Sequence, residues 1–286
     1  MNLGLFVPEL SLVATAIVVI LLDLFTERKG ALAVISIIGL VVAAGFTFSM
    51  RGTFEATFYN MLAVDGFAIF FKLLFLGIAG LVILASTDYV SKFSRFRGEY
   101  YALVLLSALG MMLMAATREL ISIYIALELT SISLYVLAGF LKDNKSTEAS
   151  LKYLLLGAIS SAVLLFGMAL VFGSTGETQL DKIAAVIQGM SLGAVSGNPA
   201  LILGIVLLVA GFGFKIAAVP FHMWVPDVYE GAPTPIVAYL SVGSKAAGFA
   251  VILRVFYSAF GLPGWLSSQW GIIFAVLAAI GMFWGT

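Results

Sequence analysis

Nine apolar runs, at about 3–25, 31–50, 66–86, 100–117, 119–140, 147–173, 199–219, 235–257 and 267–284, divide almost the whole chain among them. Runs of this length and continuity are those of helices that cross a bilayer, because ~20 residues are needed to span ~30 Å of hydrocarbon. The connections between them are short, so no extramembrane domain fits. Only 10% of the residues are charged and 62% are hydrophobic, too little charge to cover the surface of a soluble domain. The fold class is therefore an all-α polytopic membrane protein, with the lipid bilayer as its first partner.

The net charge is zero, and nothing points to nucleic acid. Cysteine is absent, which excludes disulfides and cysteine-ligated iron–sulfur clusters. The opening MNLGLFVPELSLVATAIVVILLDLF has no basic n-region and too long an apolar stretch for a signal peptide, so it reads as a first membrane helix. Connections after the first, third and fifth runs carry Arg28, Lys29, Lys92, Arg95, Arg97, Lys142 and Lys145, against Arg51, Arg118 and Lys182 after the second, fourth and sixth. This bias of seven to three puts the odd-numbered connections in the cytoplasm and the N-terminus outside. In residues 178–190, TQLDKIAAVIQGM, Leu180, Ile183, Ala184 and Ile187 share one helical face, as in a short helix lying in the outer interface. Asn198-Pro199 is a cap and a first-turn proline for the seventh run.

Against this background the buried charges stand out. Residues 211–249, GFGFKIAAVPFHMWVPDVYEGAPTPIVAYLSVGSKAAGF, place Lys215, His222 and Lys245 in or beside apolar runs. A lysine at the centre of a bilayer costs ~2.5–3.5 kcal/mol on insertion scales. Pro220 has no N–H, which would leave the Ile216 carbonyl without its helical partner. Free carbonyls at membrane depth require protein or a water-filled cavity. The seventh run is thus expected to break at Ile216–Pro220 around a polar pocket, the arrangement from which ion paths are built. Glu128 lies ~14 Å into the fifth run and Lys245 ~15 Å into the eighth. The flanking Ser241, Gly243, Ser244, Ala246, Ala247 and Gly248 let helices approach, so Lys245 is expected to face the bundle. Glu128 reads as a relay carboxylate or as one hydrogen-bonded to a neighbouring Ser or Thr. His222, the one histidine, reads either as a proton shuttle or as a packed side chain closing a turn. Lys152 reads equally as a relay lysine or as one that snorkels from a helix capped by Ser146. Lys72 and Asp23 are weaker candidates, and Arg254, close to a helix end, is expected to snorkel. PDVYEGAPTP, residues 226–235, is expected to form a rigid loop. No dinucleotide fingerprint, P-loop, Ser/His/Asp set or metal-ligand cluster occurs.

PFHMWVPDVYEGAPTP followed by SVGSKAAGF, with IYIALELTSISLYVLAGF in the fifth run, closely resembles the antiporter-like subunit N family of the proton-pumping NADH–quinone oxidoreductase, respiratory complex I (subunit 2 in mitochondria). Sister subunits and the Mrp-type sodium/proton antiporters share the P-H-W-P-D-EG-PTP pattern; ELTSISLY and SVGSKAAGF favour subunit N. The resemblance covers the whole chain. It implies an antiporter-like helix bundle with a discontinuous helix near Pro220. By position, Glu128 would be the fifth-helix glutamate, paired with Lys215 on the broken helix. Lys245 would be the connecting lysine, with His222 between the two, and Lys152 a further lysine of the path. Residues 1–98 would form three N-terminal helices and 99–257 the first five-helix unit. Residues 258–286 would open a second, inverted unit that is incomplete here: IIFAVLAAIGMFWGT runs apolar to the end, as in a minimal last connection or a piece of a longer chain.

On this resemblance the chain is a proton-translocating subunit in the inner (plasma) membrane of a prokaryote. It would hold no cofactor, while NADH, FMN, iron–sulfur clusters and quinone would reside in partner subunits. Its partners would be the other membrane subunits of complex I, antiporter-like ones included. Two rivals share these residues: a monovalent cation/proton antiporter of the Mrp type, and a scaffold that only holds a membrane arm together.

Overall fold

Each apolar run closes its backbone hydrogen bonds within itself. The computed structural model describes residues 2–25, 30–90, 96–190, 194–195, 197–261 and 264–284. A 3-10 turn, Leu3–Phe6, leads into α1 (Val7–Phe25), followed by α2 (Gly30–Ser49). A two-stranded antiparallel hairpin, β1 (Glu55–Thr57) and β2 (Leu62–Val64), pairs Ala56 with Ala63. Then come α3 (Gly66–Val90), α4 (Arg97–Ala116), α5 (Leu120–Ala138), α6 (Asn144–Thr175) and the short α7 (Leu180–Gln188). The chain continues through α8 (Pro199–Lys215), α9 (Val225–Gly231) and α10 (Thr234–Tyr239). A π-helical turn, Leu240–Ser244, joins α10 to α11 (Lys245–Ala259), and α12 (Gly264–Trp284) is last. Among the described residues eight helical stretches are long and apolar enough to cross a membrane, and α8 is a shorter ninth. They fall on the nine expected runs in order.

Two local expectations are corrected. The helix carrying Lys152 is capped by Asp143, whose carboxylate accepts the Ser146 N–H at 2.7 Å, so it starts before Ser146. Residues 226–235 are not a loop: Pro226 sits in the first turn of α9 and Pro235 in that of α10, where a missing N–H costs nothing. The seventh run breaks where expected: its helix ends at Lys215, with Ile216 as the C-cap. Arg28, Lys29, Lys92 and Arg95, which carry much of the charge bias, lie outside the described residues.

α4 is the axis of the bundle, buried along most of its length, with α1, α3 and α5 packed on it. Small residues permit this: a Cβ on Gly110 would fall 2.3 Å from Thr130 Oγ1 and 2.8 Å from the Ala126 carbonyl of α5. Large apolar side chains such as Ile125, Ile132, Leu155, Ile159 and Phe166 point outward, as lipid-facing positions do.

The two ends of the bundle are joined differently. At one, backbone bonds knit three connections together: Arg118 N–H to the Met61 carbonyl at 2.8 Å, Leu120 N–H to Thr178 at 3.0 Å, and Leu180 N–H to Arg118 at 3.0 Å. Asn60 donates to Asp181 at 2.9 Å and Gln179 to the Tyr59 carbonyl at 2.9 Å. α7 lies here with Leu180, Ile183, Ala184 and Ile187 buried, the face expected from its pattern, and packs on α11. At the other end α9 meets the start of α6. A Cβ on Gly231 would fall 2.6 Å from the Lys145 carbonyl, so only glycine lets α9 this close. The ion pairs there, Lys145–Glu230 at 3.3 Å and Lys152–Asp227 at 2.9 Å, are exposed.

Candidate ion-path site

α8 brings Lys215 to α5 because α6 and α8 run in near contact. Cβ atoms on Gly167 and Gly204 would fall 2.9 and 3.1 Å from each other's carbonyl oxygens, and one on Gly211 would fall 2.6 Å from Leu164 Cβ. Ser160 donates across this seam to the Gly211 carbonyl at 3.3 Å. α5 and α6 are held by Ser150, which donates to the Tyr135 carbonyl at 2.8 Å, and by Gly157, which leaves room for the Tyr135 hydroxyl.

Four polar side chains meet at these seams. Lys215 Nζ donates to Ser131 Oγ of α5 at 2.9 Å. Ser161 Oγ of α6 donates to Glu128 Oε1. Both serines are buried. Lys215 and Glu128 thus each take a hydroxyl partner here, not one another. The Lys215 ammonium also faces the rings of Phe214 at 5.7 Å and Tyr135 at 6.0 Å. Tyr135, Tyr153 and Trp224 continue as an aromatic wall: Tyr153 stacks on Trp224 with centroids 4.6 Å apart, and Tyr135 meets Tyr153 edge-on at 4.5 Å.

The break replaces the lost helical bonds locally. Ile216 N–H reaches the Phe212 carbonyl at 3.1 Å, Ala218 N–H the Gly213 carbonyl at 2.8 Å, and Trp224 Nε1–H the Phe214 carbonyl at 3.2 Å. Ala217 holds a left-handed φ of 56°, a conformation that costs an L-residue about 1–2 kcal/mol. Pro220 follows a cis peptide bond outside the helix, so the helix stops before the proline could remove an N–H from it.

His222 and Lys245 lie on the far side of the broken segment. Both line a cavity of about 650 Å³ enclosed by residues 216–219, α11 and α12, its other walls mainly apolar. His222 Nδ1 is buried with no partner, as is the hydroxyl of Tyr229, and Lys245 Nζ stands 5.4 Å from the Tyr229 ring. Lys245 directly follows the π-helical turn. Lys215 is not among the residues lining this cavity, although its backbone comes within 3.6 Å of a Cβ built on Gly248, one turn beyond Lys245. Lys152 stands apart, partly exposed at the α9 end and bonded to Glu148 and Asp227, each at 2.9 Å.

Two further ion pairs were not foreseen. Arg254 does not snorkel: it is buried, grips Asp65 through both terminal nitrogens at 2.6 and 3.0 Å, and donates to the Ala115 carbonyl at 2.8 Å. Lys72 pairs with Glu9 at 2.6 Å, wholly buried. The signal for the second was present in the sequence, a glutamate within the first turn of a membrane helix. Asp23 packs on α4 beside Gly98, where a Cβ would meet its side chain at 2.4 Å. Among the described residues no group of three His, Cys, Asp or Glu could hold a metal ion.

Residues 117–286 match the family described as NADH:quinone oxidoreductase/Mrp antiporter, transmembrane. The chain is 52% identical over 286 residues to NADH-quinone oxidoreductase subunit N of Dehalococcoides mccartyi, covering 99% of this chain and 59% of that protein. A respiratory complex I structure from Thermus thermophilus with bound aureothin contains a chain 36% identical to this one, with TM-score 0.73, over 87% of this chain and 53% of that one. The membrane-bound sulfane sulfur reductase, an archaeal respiratory membrane complex, contains one 25% identical with TM-score 0.77, over 94% and 56%. The chain spans 57–59% of the length of such curated relatives.

Proposed function

Since the chain belongs to the NADH:quinone oxidoreductase/Mrp antiporter transmembrane family, we propose that it carries protons across a membrane as subunit N of an NADH–quinone oxidoreductase. Glu128, Lys215, His222 and Lys245 form the relay, and Lys152 stands at its α9 end. Residues 99–257 are the carrying unit, 1–98 an N-terminal addition, and 258–286 the start of a second, inverted unit. The membrane is the plasma membrane of a prokaryote, with the N-terminus outside. NADH oxidation and quinone reduction take place in partner subunits, on FMN and iron–sulfur clusters that this cysteine-free chain cannot ligate through thiolates.

The observation that carries this reading is the pairing of each charge with a hydroxyl: Lys215 with Ser131 at 2.9 Å, and Glu128 with Ser161. A carboxylate held by a neutral donor on one helix, and an ammonium held by a neutral acceptor on another, form a separated state. Closing the gap gives an ion pair, which favours the charged lysine; opening it favours release of the lysine's proton towards His222. Each ~1.4 kcal/mol of difference between the two states is tenfold in proton occupancy, so modest movement gives direction.

The test is proton translocation by the full-length protein in its assembled complex. Glu128→Gln and Lys215→Ala should each lower translocation at least tenfold while electron transfer and assembly persist, and Glu128→Asp should retain more. The double variant should be little worse than either single, because one pair cannot be broken twice. Additive losses, or a fully active Lys215→Ala, would refute the relay. A sodium requirement would favour the Mrp-type reading, and unaltered pumping in all variants the scaffold.

A further inference from the structure

The two buried ion pairs outside the relay are built differently. In the Arg254–Asp65 pair every group is used: two guanidinium nitrogens hold the carboxylate, the Ala115 carbonyl accepts from Arg254, and Asp65 Oδ1 accepts the Ala68 N–H at 2.8 Å. Arginine, moreover, stays charged in proteins. That pair is a clamp. The Lys72–Glu9 pair has one contact, Nζ to Oε1 at 2.6 Å, with the side chains 3% and 1% exposed. The second carboxylate oxygen, Oε2, is buried and accepts nothing. Both partners are groups that exchange protons. A wholly buried carboxylate with one oxygen unused is a poor clamp, because the unmet acceptor costs what the ion pair contributes. Oε2 is thus an oxygen with its lone pairs open inside the bundle.

We propose that Glu9 and Lys72 form a second proton-exchanging site, separate from the Glu128–Lys215–His222–Lys245 row. On uptake a proton from water adds to Glu9 Oε2 and an O–H bond forms, while Oε1 stays on the Lys72 ammonium; the pair passes from net zero to +1. On release the same O–H bond breaks and the carboxylate is restored. Glu9 lies in the first turn of α1, and Lys72 about 9 Å along α3 from its start. The site is therefore near the knitted end of the bundle, where Leu5, Val64 and Ile69 form a small apolar cluster of their own.

Among the described residues, the elements packed on α1 and α3 offer few other titratable groups, and those lie elsewhere or are already bonded. α2, packed on both helices, carries none from Gly30 to Ser49. The titratable groups of α4, Arg97, Glu99, Tyr100 and Tyr101, lie at its far end, as do Asp23 of α1 and Asp88 and Tyr89 of α3. β2 and the π-helical turn have none. Tyr239 of α10 is bonded to Ser107 at 2.9 Å, and Asp65, just ahead of α3, is held by Arg254.

The proposal goes beyond the relay and is tested apart from it. Infrared difference spectra of the full-length protein in lipid vesicles, recorded between pH values at which it stays folded, should show a carboxyl band. That band should vanish in Glu9→Gln, move in Glu9→Asp and move in Lys72→Met. In the assembled complex, Glu9→Gln should lower protons moved per electron several-fold, with Glu128→Gln as the reference for the relay. Should Glu9→Gln fail to fold, the apolar double variant Glu9→Leu/Lys72→Leu serves, since replacing both members of a buried pair is often neutral for folding. It should fold, lack the band and pump poorly. A band that persists in Glu9→Gln, or full pumping by the folded double variant, would overturn the inference. The relay would still stand if Glu128→Gln alone abolished pumping.

Discussion

Gly211→Ala puts the α6–α8 seam under direct strain. The added Cβ would sit 2.6 Å from Leu164 Cβ and 3.0 Å from Leu164 Cα, a backbone atom that cannot rotate away. Carbon atoms rest at about 3.5–4.0 Å, so the helices must part by roughly 1 Å. Overpacking of this kind costs about 1–3 kcal/mol, while alanine for glycine within a helix returns up to about 1 kcal/mol of propensity. The net loss of stability should be about 0–3 kcal/mol, and the protein should still fold. Function should suffer more. Lys215 lies one turn beyond Gly211, and a shift of about 1 Å in a reacting group can cost about 10²-fold. The stretched seam would also break the 3.3 Å bond from Ser160 to the Gly211 carbonyl. Proton translocation in the assembled complex and thermal unfolding in detergent give the two readouts. Gly173→Ala, on α6 with nothing within 4 Å of its Cβ, is the control and should be neutral or slightly stabilising. A Gly211→Ala protein as active and as stable as the control would show that the seam does not position Lys215.

Arg254→Ala should lower stability by about 2–4 kcal/mol, the range for breaking a buried pair reduced by the partial exposure of Asp65; Arg254→Lys, which keeps the charge but not the fork, should fall between, and equal unfolding temperatures for Arg and Lys would refute this. Burial works to raise the Asp65 pKa, but the Arg254 bond, the Ala68 N–H and the charges of Arg254 and Arg118 outweigh it and hold the carboxyl below its ordinary value. The native pKa is therefore the lower one, so its contribution is present above the unfolded value and lost as pH falls through the native one. Asp65→Asn should flatten the acid side of a stability–pH profile, and an unchanged profile would refute the linkage. Lys152→Met should cost less translocation than Lys215→Ala, because its two carboxylate partners lie in solvent; equal losses would place it within the relay.

Depth along a helix was legible in the sequence, and direction around it was not. Run length alone placed the membrane helices, and the pattern of Leu180, Ile183, Ala184 and Ile187 fixed the buried face of α7. Lys215, His222 and Lys245 stood out because charge is costly in hydrocarbon, and the fold brings His222 and Lys245 to one cavity and Lys215 to Ser131. Arg254 was misread because closeness to a helix end suggests an exit to solvent, whereas its partner Asp65 is 189 residues away in sequence. Glu9 and Lys72 escaped pairing for the same reason: an almost uniformly apolar helix has no polar side to say which neighbour a lone charge faces. The prolines of PDVYEGAPTP predict a loop, yet Pro226 and Pro235 begin helices. Pro220 correctly marked a break, but the chain leaves the helix at Lys215 through the left-handed Ala217.

The unequal joining of the two ends makes the bundle a cantilever. At the hairpin end, main chain is bonded to main chain across three connections, and displacing any one drags the others. At the α9 end the ties are solvated side chains, which yield to salt and reform with new partners at little cost. A force applied anywhere along α5, α6 or α8 is therefore resisted at one end and converted to displacement at the other. The stump of α8 lies between these ends, its tip tied to Ser131 through Lys215 and to Trp224 through the Phe214 carbonyl. The main-chain ties at Leu62, Thr117 and Gln179 thus leave the α9 end, with its solvated ion pairs, the easier of the two to displace.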